Sequence, residues 1–402
     1  MILYYKFRFT IVFLFLVGIA TSCAIGTVRM SNLMKELPAQ GQFQQKAKEF
    51  RVRVLLDEKQ THGQWSINTS SGIIVTDLHN SRKKNVLKQP LNVLCFKNGC
   101  LFINGKKLAE KRIRIDSSSG YLLYGNNTYQ GSLLCVIENN NCMLINQLDL
   151  EDYVYCVLKS ESWPGWPLEV NKVFAVASRT YVLAKVLEGD SSKKPFHIRN
   201  TNIHQTYNGF HSNETLKKAV DETRGLIVTY NKKPILAMFD CCCGGIIPAH
   251  LSGVDFKKSP YLARTKLCEF CKPCKIYQWK YELDSNELEK LLQSKGYKVC
   301  AIQEINTKKD KAGSVQEVVI KSAQGITTLT GKQFYALTTK IKSFCYSIEK
   351  KLKKIIISGQ GYGHHLGLCQ WGARRMIDHG WNYRSILNFF YRETTCMKLV
   401  FK

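Results

Sequence analysis

Residues 150–185 read "LEDYVYCVLKSESWPGWPLEVNKVFAVASRTYVLAK", and two periodicities meet inside them. Tyr153 to Leu158 is an apolar run, the end of a strand or of a helix. Trp163 to Trp166 form a turn, and Pro167 is pre-set for a first helical position. From there a helix is expected to about Glu188. Advancing roughly 100° per residue, Val170, Phe174, Ala177 and Tyr181 share one side, while Ala175, Val176, Val182 and Leu183 fall on others. A helix apolar nearly all round is buried. Arg179 then projects from a helix with little wet surface. It needs a carboxylate or several carbonyls, because an unpaired buried guanidinium costs several kcal/mol.

Glu161 lies between the apolar run and the turn, flanked by Trp163 and Trp166. Burial beside indoles disfavours the ionised carboxylate and raises its pKa, which suits a general acid near neutral pH. A salt-bridged structural glutamate is the competing reading. Glu151 and Asp152, in an ordinary amphipathic segment, read as solvated charges.

Working outward, Glu49 to Asn146 is a series of short alternating runs such as "FRVRVLL" and "KRIRIDS", with hairpin tips at Phe102–Lys106 and Glu138–Cys142. Downstream, "ETLKKAVDETRG" is a short amphipathic helix and "LIVTYNKKPILAMFDC" a hairpin turning at Asn231. Further helices are expected over Ser285–Tyr297 and in "NYRSILNFFYRET". The fold class is α+β: a strand-rich domain with a few helices over residues 120–402, preceded by a β-rich region, 31–119. The first segment, 1–30, is a signal peptide or membrane anchor.

That first segment carries Lys6 and Arg8, an uncharged apolar run from Phe9 to Val28, and then Arg29. Twenty uncharged residues suffice to cross a bilayer. Ala20-Thr21-Ser22 also resembles a cleavage site, and Cys23 a lipidation point. The rest of the chain is therefore expected outside the cytoplasm. With 402 residues and 45% hydrophobic content it can bury its own cores. The formal charge of +27 is spread over scattered lysines, so the chain carries no nucleic-acid module. Among the 16 cysteines, two groups stand apart: Cys241-Cys242-Cys243 and Cys268-x-x-Cys271-x-x-Cys274.

Near the C-terminus, "GQGYGHHLGLCQWGA" (Gly359–Ala373) gathers glycines with hydrogen-bonding rings. Glycines let backbone approach a flat ring closely. His364 and Gln370 can bond hydroxyls and N-acetyl groups, and Tyr362 or Trp371 can cover a ring face. A tight strand-to-helix connection is the plainer alternative, and a phosphate loop would need a lysine this segment lacks. "RTYV" (Arg179–Val182), "HQTYNG" (His204–Gly209) and "CCCGG" (Cys241–Gly245) share the polar and aromatic makeup of a carbohydrate cleft.

Together these segments resemble, in order, the motifs of the stage II sporulation protein D / LytB family of peptidoglycan-active proteins. The matching positions are the 150–185 stretch, Gln205, Tyr207 and Gly209, Ala219-Val220, Thr223-Arg224-Gly225, Tyr230, Cys243-Gly244-Gly245, "SPYLAR" and Gly359–Ala373. The resemblance covers roughly Gly120 to Leu399. His365, Cys369 and "CCCGG" depart from the commoner family residues. The resemblance implies a lytic transglycosylase of the bacterial envelope, membrane-anchored or exported to the extracytoplasmic, periplasmic side. It would act on peptidoglycan glycan strands, preferably peptide-stripped ones, with Glu161 as general acid and base. Arg179, Tyr181, Gln205, Tyr207, Gly361, Tyr362, His364 and Gln370 would bind substrate. The alternative it implies is a non-catalytic, LytB-like glycan binder that stimulates an amidase or another autolysin. No cofactor is required for the chemistry. A structural zinc held by Cys243, Cys268, Cys271 and Cys274 is implied from some relatives, with disulfide pairing as the other reading.

Overall fold

The computed structural model describes residues 41–45, 50–163, 165–191 and 194–401. The apolar segment of residues 1–30 lies outside them, and among the described residues no helix is long and apolar enough to cross a membrane. The fold is strand-rich α+β with seven α-helices among the described residues.

The first half is two sheets closing on one core, antiparallel throughout except for the parallel edge strand 198–199. A six-stranded sheet runs in the order 127–130, 121–124, 62–68, 91–97, 100–103 and 106–107. A seven-stranded sheet runs 198–199, 51–60, 141–149, 132–138, 112–117, 73–77 and 84–87. Alternation along Arg51–Gln60 turns Val52, Val54 and Leu56 into that core, as a period of two requires. The expected hairpin tips are present, with positive φ at Asn104 (49°), Gly105 (81°), Asn139 (50°), Asn140 (57°) and Asn231 (49°), the chemistry of two-residue turns. The seven-stranded sheet draws strands from both sides of residue 119, so the β-rich region and the segment after it share one sheet.

Helix α1 (Leu150–Glu161) starts at Asp149, whose carboxylate accepts the Glu151 N–H at 2.8 Å. The run Tyr153–Leu158 is thus helical, and all six of its side chains are buried. Helix α2 (Leu168–Ser191) follows the tryptophan turn and is buried on nearly every side, as its sequence requires; Val170, Phe174, Ala177 and Leu183 are fully enclosed. Helix α3 (Glu214–Glu222) packs on α2. Leu226–Tyr230 pairs with the C-terminal strand Thr395–Phe401, which also carries Gly41–Gln45 on its other edge.

Residues 278–360 form an excursion with a hydrophobic core of its own, built from Leu288, Val318, Phe334, Ile355 and Ile357 among others. It contains helices α4 (Ser285–Gln293) and α5 (Gly331–Tyr335) and two three-stranded antiparallel sheets. The sequence reading places strands and a helix here without separating them from the main core. The chain then returns through Gly361–Gly367 to α6 (Gln370–Asp378) and α7 (Tyr383–Phe390).

Candidate functional site

Glu161, the last residue of α1, faces a cavity of about 330 Å³. Tyr181 of α2, Gln205, Asp240, Tyr362, His364 and Gln370 line the same cavity. Five stretches of chain are therefore brought together, and six of the residues anticipated from sequence (Glu161, Tyr181, Gln205, Tyr362, His364, Gln370) meet in one place.

The carboxyl of Glu161 accepts the Thr206 N–H at 2.5 Å. Among the described residues, no lysine or arginine lines the cavity and no ion pair to Glu161 forms. Burial raises its pKa above the ordinary glutamate value, and the Thr206 hydrogen bonds pull the other way without cancelling the rise. Trp163 and Trp166 stack with ring centroids 6.1 Å apart, and Trp371 meets Trp166 edge-on at 5.4 Å. None of these indoles lines the cavity. The walls of the cavity are the polar and aromatic groups named above, not the tryptophans that adjoin Glu161 in sequence.

The side-chain amide of Gln370, at the start of α6, donates to the Glu161 backbone carbonyl at 2.9 Å. This fixes the end of α1 against the glycine-rich segment. His364 accepts the Leu366 N–H through Nδ1 at 3.1 Å, which leaves Nε2 to carry the proton, and burial lowers its pKa. His364 is thus a neutral hydrogen-bonding ring. Burial pushes the Tyr181 hydroxyl up to about 12. Gln205 accepts from the Tyr153 hydroxyl at 3.0 Å.

Three anticipated binding residues lie elsewhere. Arg179 is fully buried; its guanidinium donates to both carboxylate oxygens of Glu151, at 2.6–3.2 Å, and to the carbonyls of Ala175, Val220 and Leu226. The partner its burial demands is Glu151, which is 5% exposed and also accepts the Gly225 N–H. Glu151 is therefore a buried ion-pair partner and not a solvated charge. Tyr207, 1% exposed, donates to the Asn146 side chain and stacks on Tyr153. Gly361 serves backbone geometry: its φ is 79°, its N–H donates to the Tyr277 carbonyl at 2.7 Å, and an added Cβ would sit 2.9 Å from the Cys242 carbonyl oxygen.

Asp240 was not anticipated. It is buried at the cavity wall and accepts the His365 N–H at 2.7 Å, holding that residue at a φ of 65°. Gly363 rests directly on it, for an added Cβ would lie 2.4 Å from the Asp240 Cβ. Burial pushes the Asp240 carboxyl up to about 8. The only signal in the sequence is an acidic residue inside an otherwise apolar run, "AMFDCCC".

Behind this wall lies a second cluster. The ligand atoms of Cys243, Cys268, Cys271 and Cys369 all lie within 4.8 Å of one another, and all four residues are buried. The Cys243 and Cys271 sulfurs are 3.6 Å apart. A tetrahedral zinc–thiolate site with bonds of about 2.3 Å needs sulfurs about 3.8 Å apart, so the four residues fit that ion. Cys369 replaces the anticipated Cys274, which stands outside the group. Cys369 also caps α6, its sulfur accepting N–H groups from Cys243 and Gly372 at 3.2 and 3.3 Å.

The sequence profile described as Stage II sporulation protein, SpoIID, matches residues 138–230, which span α1, α2 and α3. An uncharacterized protein of Brachyspira hyodysenteriae is 33% identical over 297 residues, covering 72% of this chain and 78% of that one. The amidase enhancer of Bacillus subtilis is 28% identical across 60% of this chain but only 39% of its own length. Stage II sporulation protein D of the same bacterium is 25% identical across 62% of this chain and 75% of its own. The motifs that meet around Glu161 and these relatives agree: the chain belongs to the stage II sporulation protein D (SpoIID)/LytB family.

Proposed function

We propose that this chain acts on the cell wall as a lytic transglycosylase of peptidoglycan glycan strands, with Glu161 as general acid and then general base. The observation that carries this reading is a carboxyl facing a cavity that no lysine or arginine among the described residues lines, where burial raises its pKa. A carboxyl in such surroundings holds its proton to higher pH than an exposed glutamate does and can deliver it.

In the first step the Glu161 carboxyl gives its proton to the glycosidic oxygen. The bond from that oxygen to the anomeric carbon breaks, and the leaving sugar departs with a free hydroxyl. The Glu161 carboxylate then takes the proton of the retained sugar's own 6-hydroxyl, whose oxygen closes on the anomeric carbon. The product is an anhydro ring, Glu161 is protonated again, and no water is consumed. A pair of separated carboxylates, as in hydrolases that activate water, is not needed. Gln370 fixes the backbone of Glu161, while His364, Tyr362, Tyr181 and Gln205 present donors, acceptors and ring faces to the sugars.

Cys243, Cys268, Cys271 and Cys369 would hold a structural zinc. Four thiolates close the coordination sphere, so the ion's contribution is to fix α6 and the loops beneath the cavity. The apolar segment near the N-terminus is proposed to export or anchor the chain, which puts the cavity on the side of the membrane where the wall is.

The test is incubation with peptide-free glycan strands and mass spectrometry for anhydro-ended fragments. Their appearance with the parent chain and loss with Glu161→Gln supports the reading; products that survive the substitution overturn it. The name of the amidase enhancer supports a second reading, in which the same cavity holds glycan without cutting it and an amidase is the partner. Glycan binding with no products from the parent chain would favour that one.

A further inference from the structure

The glycine-rich segment borders two cavities. Tyr362, Gly363 and His364 line the one that holds Glu161. Gly359 and Gln360 line another, of about 640 Å³, which lies wholly within the 278–360 excursion. Gln360 and Tyr362 are two residues apart, so their α-carbons are at most about 7.6 Å apart. The two cavities therefore adjoin through one short stretch of backbone.

The walls of the second cavity have the chemistry of a sugar site. Trp279 supplies a half-buried ring, backed by the buried Tyr346 at a centroid distance of 6.4 Å. Gln278, Ser347 and Gln360 supply amides and a hydroxyl.

The cavity also carries cationic side chains, which its neighbour lacks among the described residues. Lys280 and Lys309 line it. Lys280 is paired with Glu282 at 2.5 Å; Lys309 is exposed and has no ion-pair partner among the described residues. A peptide-stripped peptidoglycan strand is acidic, because removing each stem peptide leaves the lactyl group of the muramic sugar as a free carboxylate. We infer that the Trp279–Lys309 cavity is a second binding site for the same glycan strand, one that grips a neighbouring acidic sugar while Glu161 faces the bond to be cut. This inference rests on the glycan reading of the Glu161 cavity.

The full chain carrying Glu161→Gln, which holds strands uncut, is titrated with peptide-free strands of two disaccharides and of six. The longer strand is expected to bind more tightly. Lys309→Glu and Gln278→Ala, both on exposed side chains, are expected to remove that advantage, with the longer strand weakened roughly five-fold and the shorter unchanged. Converting the lactyl carboxylates to amides should reproduce the effect of Lys309→Glu. Equal affinity for the two lengths, or equal weakening of both by the substitutions, overturns the second site alone. Failure to bind either length brings down the reading of the Glu161 cavity and the second site with it.

Discussion

The two ends of α1 place the same side chain in opposite circumstances. At its first turn Glu151 is enclosed, held by the Arg179 guanidinium and the Gly225 N–H. At its last residue Glu161 faces a cavity, with the Thr206 N–H as its partner and no lysine or arginine of the described residues in the wall. The first glutamate has its charge fully compensated and contributes to the fold. The second is left with its charge disfavoured, and a group in that condition is ready to exchange a proton. The difference comes from what the neighbouring elements place opposite each glutamate: α2 puts an arginine at one end, and the glycine-rich segment puts neutral donors and rings at the other.

Exchanging the two carboxyls for amides breaks the comparison most sharply. Glu161→Gln is expected to lower glycan cleavage by at least about a hundred-fold, the lower range for loss of a general acid, with the folded structure retained by circular dichroism. Glu151→Gln should do the reverse. It leaves Arg179 buried without a counter-charge and is expected to cost about 3–5 kcal/mol in denaturant unfolding, without touching the cavity directly.

A metal measurement sharpens the cavity end. Cys369→Ser is expected to lose zinc from the purified chain, read by metal content and by the absorption of a cobalt-substituted sample, whereas Cys274→Ser keeps it. The same Cys369→Ser change should loosen α6 and lower cleavage, since α6 presents Gln370 to Glu161. Smaller is Gln370→Ala. Losing one hydrogen bond of about 0.5–1.5 kcal/mol should lower cleavage by roughly two- to ten-fold, chiefly in kcat.

The smallest effect concerns pH. The folded chain holds the Glu161 proton more tightly than the unfolded chain does, because burial raises the pKa. Its contribution to stability is therefore greatest at acid pH and declines as pH rises through the ordinary glutamate range to the raised value. Glu161→Gln removes that decline. The variant should melt slightly higher than the parent at pH 7.5, with the gap closing toward pH 4. A parent that is the more stable of the two at pH 7.5 would mean that Glu161 is a compensated group like Glu151.

How much of this was legible in the sequence follows from how local each cause is. The burial of α2 is written in its composition, and turns at Asn104-Gly105 and Asn139-Asn140 in their residue types. Glu161 could be singled out from its proline- and tryptophan-rich turn and from the family motif. That Arg179 needs an acid was readable, but its identity as Glu151 was not, because a helix crossing selects it and Glu151 looks like any solvated charge in its own segment. Cys369 was missed for the same reason. The Cys-x-x-Cys pattern points to its own neighbour Cys274, while the folded chain brings in a thiol from the far side of the excursion. Asp240 shows in the sequence only as an acid within an apolar run; the approach of Gly363 and His365 gives it a role.

The excursion leaves and re-enters the body at the same spot. Gln278 and Gln360 face each other in register across adjacent strands, and Tyr277 and Gly361 are tied by a backbone hydrogen bond of 2.7 Å. Everything between those two points is a detour whose doorway a tight turn could close, since joining neighbouring ends imposes little loop-closure entropy. Its length and contents can therefore drift in evolution independently of the machinery it adjoins, and related chains can be expected to carry shorter, longer or differently built outgrowths at this junction.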